Sequence, residues 1–195
     1  MVLYMIKYVL LIFGLIMLPA TAVSQVSVLI VYDSKTGSTG LMAEAVAEGA
    51  ASVDGVDVVK QKTDETSDDT LMRADAIIVG SPVYNANVTP EVSRFIASWP
   101  FEDQPLKDKI GAAFVTAGGI SAGEEIVQMN ILQSMLVFGM IVVGGPEWTQ
   151  PFGASAITGE GPFDVDSSDE IDEQFLEKAR ALGVRVAETA LKFNE

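Results

Sequence analysis

The sequence predicts an α/β fold, a parallel sheet covered by helices on both faces. Three observations point there. Five short apolar runs, rich in β-branched residues, alternate with segments of helical hydrophobic spacing. Loops rich in Gly, Ser and Thr follow the first, third and fourth runs. At 195 residues the chain is long enough for one such domain with a full core and too short to need two. Strands joined through helices pair in parallel with right-handed crossovers. Such sheets take ligands beyond the carboxyl ends of their strands, where strand order reverses.

In chain order, residues 1–22 stand apart. Residues 1–18 carry one charge, Lys7, and lead to Pro19, Ala20, Thr21 and Ala22, in which Ala20 and Ala22 give the small-x-small form of a signal peptidase site. The apolar run is short for a spanning helix, which favours a cleaved signal over an anchor. Residues 1–22 are therefore assigned to a signal peptide or membrane anchor, and 23–195 to the folded domain. The expected location is exported (periplasmic or extracellular) or membrane-anchored by the N-terminus, and cytoplasmic if translation starts at Met17.

Val26–Tyr32 is the first strand, suited to burial on both faces. Met42, Ala45, Val46 and Gly49 then form the inner face of a helix. Residues 56–59 make a second strand, and residues 60–70 a polar, acidic connection without apolar period. Residues 76–79 make the third strand, closed by Gly80, Ser81 and Pro82. Thr89 caps the next helix with Pro90 in its first position, and Val92, Phe95, Ile96 and Trp99 share one face, so Trp99 is assigned to the core. Residues 110–115 make the fourth strand. Ser121 and Glu124 form a capping-box pattern ahead of the stripe Val127, Ile131, Met135 and Phe138. Residues 141–143 make the fifth strand. Ser167 and Glu170, a second capping box, precede a last amphipathic helix through Ile171, Phe175, Leu182 and Val186 to Phe193. Trp148, in the loop beyond the fifth strand, borders either the ligand crevice or a subunit contact.

Composition removes whole classes of chemistry. There is no Cys and no His, hence no disulfide, thiol nucleophile, Ser-His-Asp triad or His-based zinc site. No catalytic side chain and no metal ligand set is assigned; chemistry must come from a bound cofactor, carboxylates, hydroxyls or backbone donors. A formal net charge of -15 argues against a nucleic-acid partner. The clusters Asp64, Glu65, Asp68, Asp69 and Asp164, Asp166, Asp169, Glu170, Asp172 read as solvated surface, with a docking patch for a basic redox protein as the alternative for each, and the acids of the second also complement the dipole of the helix that follows. Asn87-Val88-Thr89 matches a glycosylation sequon, but Pro90 follows it.

The first loop is hydroxyl-rich and leads into a helix N-terminus. Unpaired backbone amides, the positive end of the helix dipole and short hydroxyl side chains make a phosphate site there. The alternative is an ordinary turn into a capped helix. Neither G-x-x-x-x-G-K-[ST] nor a G-x-G-x-x-G after the strand is present. What remains, Ser34, Thr36, Gly37 and Thr39 in the pattern [ST]-x-T-G-x-T, resembles the FMN phosphate loop of the flavodoxin family. Gly80, Ser81, Pro82, Asn87 and Val92 resemble the flavin-ring loop of WrbA-like FMN-dependent NAD(P)H:quinone oxidoreductases. The loop 114–125, FVTAGGISAGEE, is similar to the same group's third loop, and PFGASAITGEG at 151–161 resembles its P-[YF]-G-A-[ST]-x-I segment, the most specific match.

The resemblance covers the chain from about Val26 to its end. It implies a flavodoxin-like three-layer sandwich with a five-stranded parallel sheet of order 2-1-3-4-5, in which the three loop-bearing strands are neighbours and their loops converge. It further implies FMN as cofactor, with NAD(P)H as electron donor. Ser34, Lys35, Thr36, Gly37, Ser38 and Thr39 would hold its phosphate. Pro82, Val83, Tyr84 and Asn85 would lie along the ring, with Tyr84 either packing on the ring's face or stabilising the turn. Thr116, Ala117, Gly118, Gly119, Ile120 and Ser121 would supply donors to the ring's pyrimidine edge. The implied function is two-electron transfer to a quinone-like acceptor. The alternative is a flavodoxin-type electron carrier serving a protein partner, favoured by the acidic charge and by Val137 and Phe138 standing where many of the group have histidine. The partner is thus a quinone or a redox protein, a membrane is met only through an uncleaved N-terminus, and homo-oligomer formation stays open.

Overall fold

A computed structural model describes residues 26–165 and 170–194. Its elements run β1 Val26–Tyr32, α1 Ser38–Ala51, β2 Val56–Lys62, α2 Asp68–Arg73, β3 Ala76–Pro82, α3 Pro90–Ala97, β4 Ile110–Ala117, α4 Glu124–Val137, β5 Ile141–Val142, β6 Ala154–Ile157 and α5 Glu173–Asn194. All strand pairs are parallel, and the sheet has the order β2-β1-β3-β4-β5, with β6 also against β4. The expected order 2-1-3-4-5 is therefore the observed one. The signal segment 1–22 and Ser167 of the second capping box lie outside the described residues. Among the described residues no helix is long and apolar enough to cross a membrane.

Alternation along β1 divides the core. Val28 and Ile30 point to the face covered by α1 and α5, and Leu29 and Val31 to the face of α2, α3 and α4. Strands buried on both faces carry apolar side chains at every position, and β3 and β4 are buried along their whole length. Each fully buried Leu, Ile or Val contributes about 1.5–3 kcal/mol from lost apolar surface. Trp99 sits in this core, edge-on to Phe95 and Phe138 at 5.6 and 5.3 Å between ring centroids. On the other face α1 and α5 approach at two glycines. A Cβ at Gly49 would overlap the Arg180 carbonyl oxygen, and one at Gly183 the Val46 carbonyl oxygen.

Four local expectations are corrected. Residues 60–70 are not one irregular connection: 60–62 extend β2, and Ser67 caps the six-residue α2, its hydroxyl accepting from the Thr70 amide at 3.2 Å. One buried residue, Leu71, is too little for a periodic signal. The fifth strand ends at Val142, where Gly144, Gly145 and Pro146 break the ladder. The chain then loops out, the Gly145 amide donating to the Gln150 carbonyl at 2.9 Å, and returns as β6 beside the end of β4. Six strands thus fill five sheet positions. At α4 the N-cap is Gly123, not Ser121; only half of the capping box forms, the Ser121 amide donating to Glu124 Oε1 at 3.0 Å. Finally, α5 starts at Glu173, so Ile171 is buried ahead of it, and Phe193 is 61% exposed rather than part of the inner stripe.

Candidate functional site

The loops after β1, β3 and β4 meet because those strands are neighbours in the sheet. In the first, Gly37 has φ 111°, a conformation open to glycine at little cost, and it delivers the chain into α1. Ser34 Oγ accepts from the Gly37 and Gly40 amides, each at 3.2 Å, which shapes the loop and leaves its own proton free to donate. The N-cap residue of α1, Gly37, has no side chain to cap the helix, the Ser34 hydroxyl takes the Gly40 amide in its place, and the first turn holds no acid. Among the described residues, each of the other four helices has an acid there. In a chain with 27 acidic residues this keeps one helix start electropositive, as a phosphate requires. Ser38 and Thr39 are buried in the same turn, while Lys35 and Thr36 are exposed.

The first loop is bolted to the third. Thr39 Oγ1 and Thr116 Oγ1 lie 2.7 Å apart, both buried. The second loop joins them through the Val83 amide, which donates to the Thr116 carbonyl at 2.8 Å. Tyr84 to Asn87 then close a tight turn with amide-to-carbonyl bonds of 3.1 and 3.0 Å in both directions, its central residues Asn85 and Ala86 at φ 52° and 56°, as a type I′ turn needs. This turn rests on the third loop, since a Cβ at Gly123 would come 2.5 Å from Ala86 Cβ. Pro82 ends β3 in buried backbone, and the neighbouring Ser81 hydroxyl accepts from the Thr89 amide at 3.2 Å, tying the turn to α3.

Lys35 spans the first and second loops. Its Nζ lies 5.7 Å from the centroid of the Tyr84 ring and 3.6 Å from Glu91 Oε2. The Glu91 carboxyl is held below its ordinary value of 4.5 chiefly by hydrogen bonding to its own backbone at the start of α3, with Lys35 and Arg94 adding to this and burial opposing it. Tyr84 is 40% exposed, so its ring is available to a ligand face.

In the third loop Thr116 and Ala117 are buried at the end of β4, whereas Gly118 and Ile120 are exposed. A Cβ at Gly118 would meet nothing within 4 Å. Two successive amides are already engaged: Ile120 donates to Glu160 Oε2 at 2.7 Å, and Ser121 to Glu124 Oε1 at 3.0 Å. The capping-box pattern had already paired Glu124 with Ser121; Glu160 was not anticipated from the sequence. Glu160 lies between two glycines in the segment 151–161, and an acid in so specific a match was the available signal.

All the expected site residues therefore lie on three adjoining loops. Trp148, at 86% exposure, projects from the loop between β5 and β6. A separate cavity of about 410 Å³ is walled by Leu41, Phe163 and Leu176 but also by Asp164, Glu170 and Asp172, an acidic lining unsuited to a phosphate. Among the described residues no cluster of three or more His, Cys, Asp or Glu could hold a metal ion.

The donor set fits FMN. A helix start free of acids, with a glycine at its N-cap, suits a phosphate, an accessible aromatic suits a ring face, and an open glycine suits close approach of a ring edge. Comparison with known proteins agrees. The profile of the family described as NADPH-dependent FMN reductase matches residues 26–155. A flavodoxin of Aquifex aeolicus is 35% identical over 83% of this chain and 85% of its own length. A protein of Azorhizobium caulinodans named NAD(P)H dehydrogenase (quinone) is 31% identical over 85% of this chain and 97% of its own. The crystal structure of a WrbA-like flavodoxin from Agrobacterium tumefaciens superposes with TM-score 0.72 at 25% identity, covering 87% of this chain and 99% of that one.

Proposed function

The chain belongs to the NADPH-dependent FMN reductase family, an oxidoreductase family of flavodoxin-like fold, and from that premise we propose that it is an FMN-dependent NAD(P)H:quinone-type oxidoreductase. Bound FMN supplies the chemistry, accepting hydride from a nicotinamide and passing two electrons to a quinone-like acceptor. The protein's own part is placement. Amides at the start of α1, with the Ser34, Thr36 and Ser38 hydroxyls, hold the phosphate dianion by charge-assisted hydrogen bonds. The Thr39–Thr116 bond keeps that cradle at a fixed distance from the third loop. Tyr84 would pack on one ring face, and its turn is too short to shift without breaking its paired hydrogen bonds. Gly118 leaves the pyrimidine edge room to approach backbone. No histidine exists to protonate a quinone oxygen, so the proton comes from solvent.

The observation that carries this reading is the acid-free start of α1, with a glycine at its N-cap, beside two further ligand-type loops. Anaerobic mixing of the FMN-loaded protein with NADPH or NADH tests it: bleaching of the flavin band supports it, and an unreduced flavin refutes it. A second reading, an electron carrier without a substrate of its own, is favoured by the flavodoxin relative and by the charge of -15. It predicts no reduction by nicotinamides and salt-sensitive transfer to a basic partner. Export is part of the proposal and is tested by N-terminal sequencing of the mature protein, with cleavage after Ala22 expected.

A further inference from the structure

We propose that Glu124 and Glu160 form a carboxylate pair that holds the third loop by its backbone and biases bound FMN toward its oxidised form. The inference rests on the FMN reading above and concerns what this chain adds to it. Glu160 Oε2 accepts from the Ile120 amide at 2.7 Å and Glu124 Oε1 from the Ser121 amide at 3.0 Å. These amides are consecutive, but the acids are not: one begins α4 and the other follows β6, 40 positions beyond Ile120. Neither carboxylate is paired with Lys or Arg among the described residues. The second oxygen of Glu124 is shut from water without a partner there, while Glu160 is exposed and both hydrogen bonds lie at the surface. A Cβ at Gly119 would come 2.8 Å from Glu160 Oε2, so that carboxylate lies close against the loop backbone.

Two effects then act in the same direction. Amides spent on carboxylates do not donate to a ligand, and two negative charges are held on the backbone of the loop assigned above to the ring edge. Hydride transfer from a nicotinamide delivers two electrons and one proton, leaving one net negative charge at that edge until a second proton arrives from solvent. A like charge nearby disfavours the charged form. The pair therefore weakens the binding of reduced FMN relative to oxidised FMN, the opposite of what a loop with free donors would do.

The test uses the full-length protein and its E160Q, E124Q and E160A variants, with FMN as the probe. The amide side chain introduced by E160Q still offers an oxygen to the Ile120 amide but carries no charge. With E160Q or E124Q the affinity for reduced FMN rises about tenfold relative to oxidised FMN, equal to about 30 mV in the two-electron midpoint potential. In the ligand-free protein E160A raises hydrogen exchange at the Ile120 amide and E160Q restores protection, which a purely surface glutamate would not do. Variants that bind FMN with an unchanged midpoint potential would overturn the tuning role while leaving the cofactor reading intact. A wild-type protein that binds no FMN would overturn both.

Discussion

Thr39 and Thr116 share a buried hydrogen bond of 2.7 Å between their hydroxyls, joining the first turn of α1 to the end of β4 across 77 positions of sequence. It fixes the first loop to the third. Replacing either threonine with valine leaves the other hydroxyl buried and unpaired, at a cost of about 1–3 kcal/mol. The double variant costs less than the sum of the singles, because no polar group is stranded. Denaturant unfolding of the four proteins measures this coupling.

Gly37→Val should abolish FMN retention. The residue's φ of 111° is strained for any side chain, by about 1–3 kcal/mol, and a β-branched group fills the space in which backbone donors meet the phosphate. Circular dichroism should report an intact fold, while flavin elutes separately on desalting. Retention equal to wild type would place the phosphate elsewhere.

Gly183→Ala should destabilise the domain without touching the site. The added Cβ overlaps the Val46 carbonyl oxygen in the α1–α5 contact, and overpacking of this kind costs about 1–3 kcal/mol. At about 2–4 °C per kcal/mol for a domain of this size, the melting temperature falls by roughly 2–12 °C. Flavin retention at 25 °C is expected to be unchanged.

Acid should open the Lys35 bridge. The Glu91 carboxyl is depressed in the folded protein, so its contribution is present above the ordinary value of 4.5 and is lost as pH falls through the lower folded value. Melting temperatures of wild type and E91Q, taken from about pH 6 to about pH 3, should converge at the acid end. A constant difference across that range would show that Glu91 does not titrate with folding.

The strands and the ligand-type loops after them were legible because β1, β3 and β4 are continuous apolar runs closed by Gly, Ser or Thr, whereas the strand order, and with it the convergence of the loops, followed from the family resemblance. The missing element, β6, is Ala-Ser-Ala-Ile, four residues of mostly small side chain after a Pro-Phe-Gly turn, and nothing in it alternates. It exists because the end of β4 offers an open ladder. The same distinction holds at the site. Ser34 to Thr39 form a contiguous motif and could be read locally. The hold of Glu160 on Ile120 and the reach of Lys35 to Glu91 are tertiary, set by where β6 and α3 bring distant residues. The Ser121–Glu124 box was half right, because left-handed backbone at Ser121, φ 60°, turns the chain and moves the cap to Gly123.

The central claim is that the acid-free start of α1 holds the phosphate of FMN. The most direct measurement is the absorbance spectrum of the protein after incubation with FMN or with riboflavin, which lacks the phosphate, followed by desalting. The account predicts a yellow protein from FMN and a colourless one from riboflavin. Equal retention of both would contradict the phosphate cradle, and a colourless protein from both would contradict flavin binding itself.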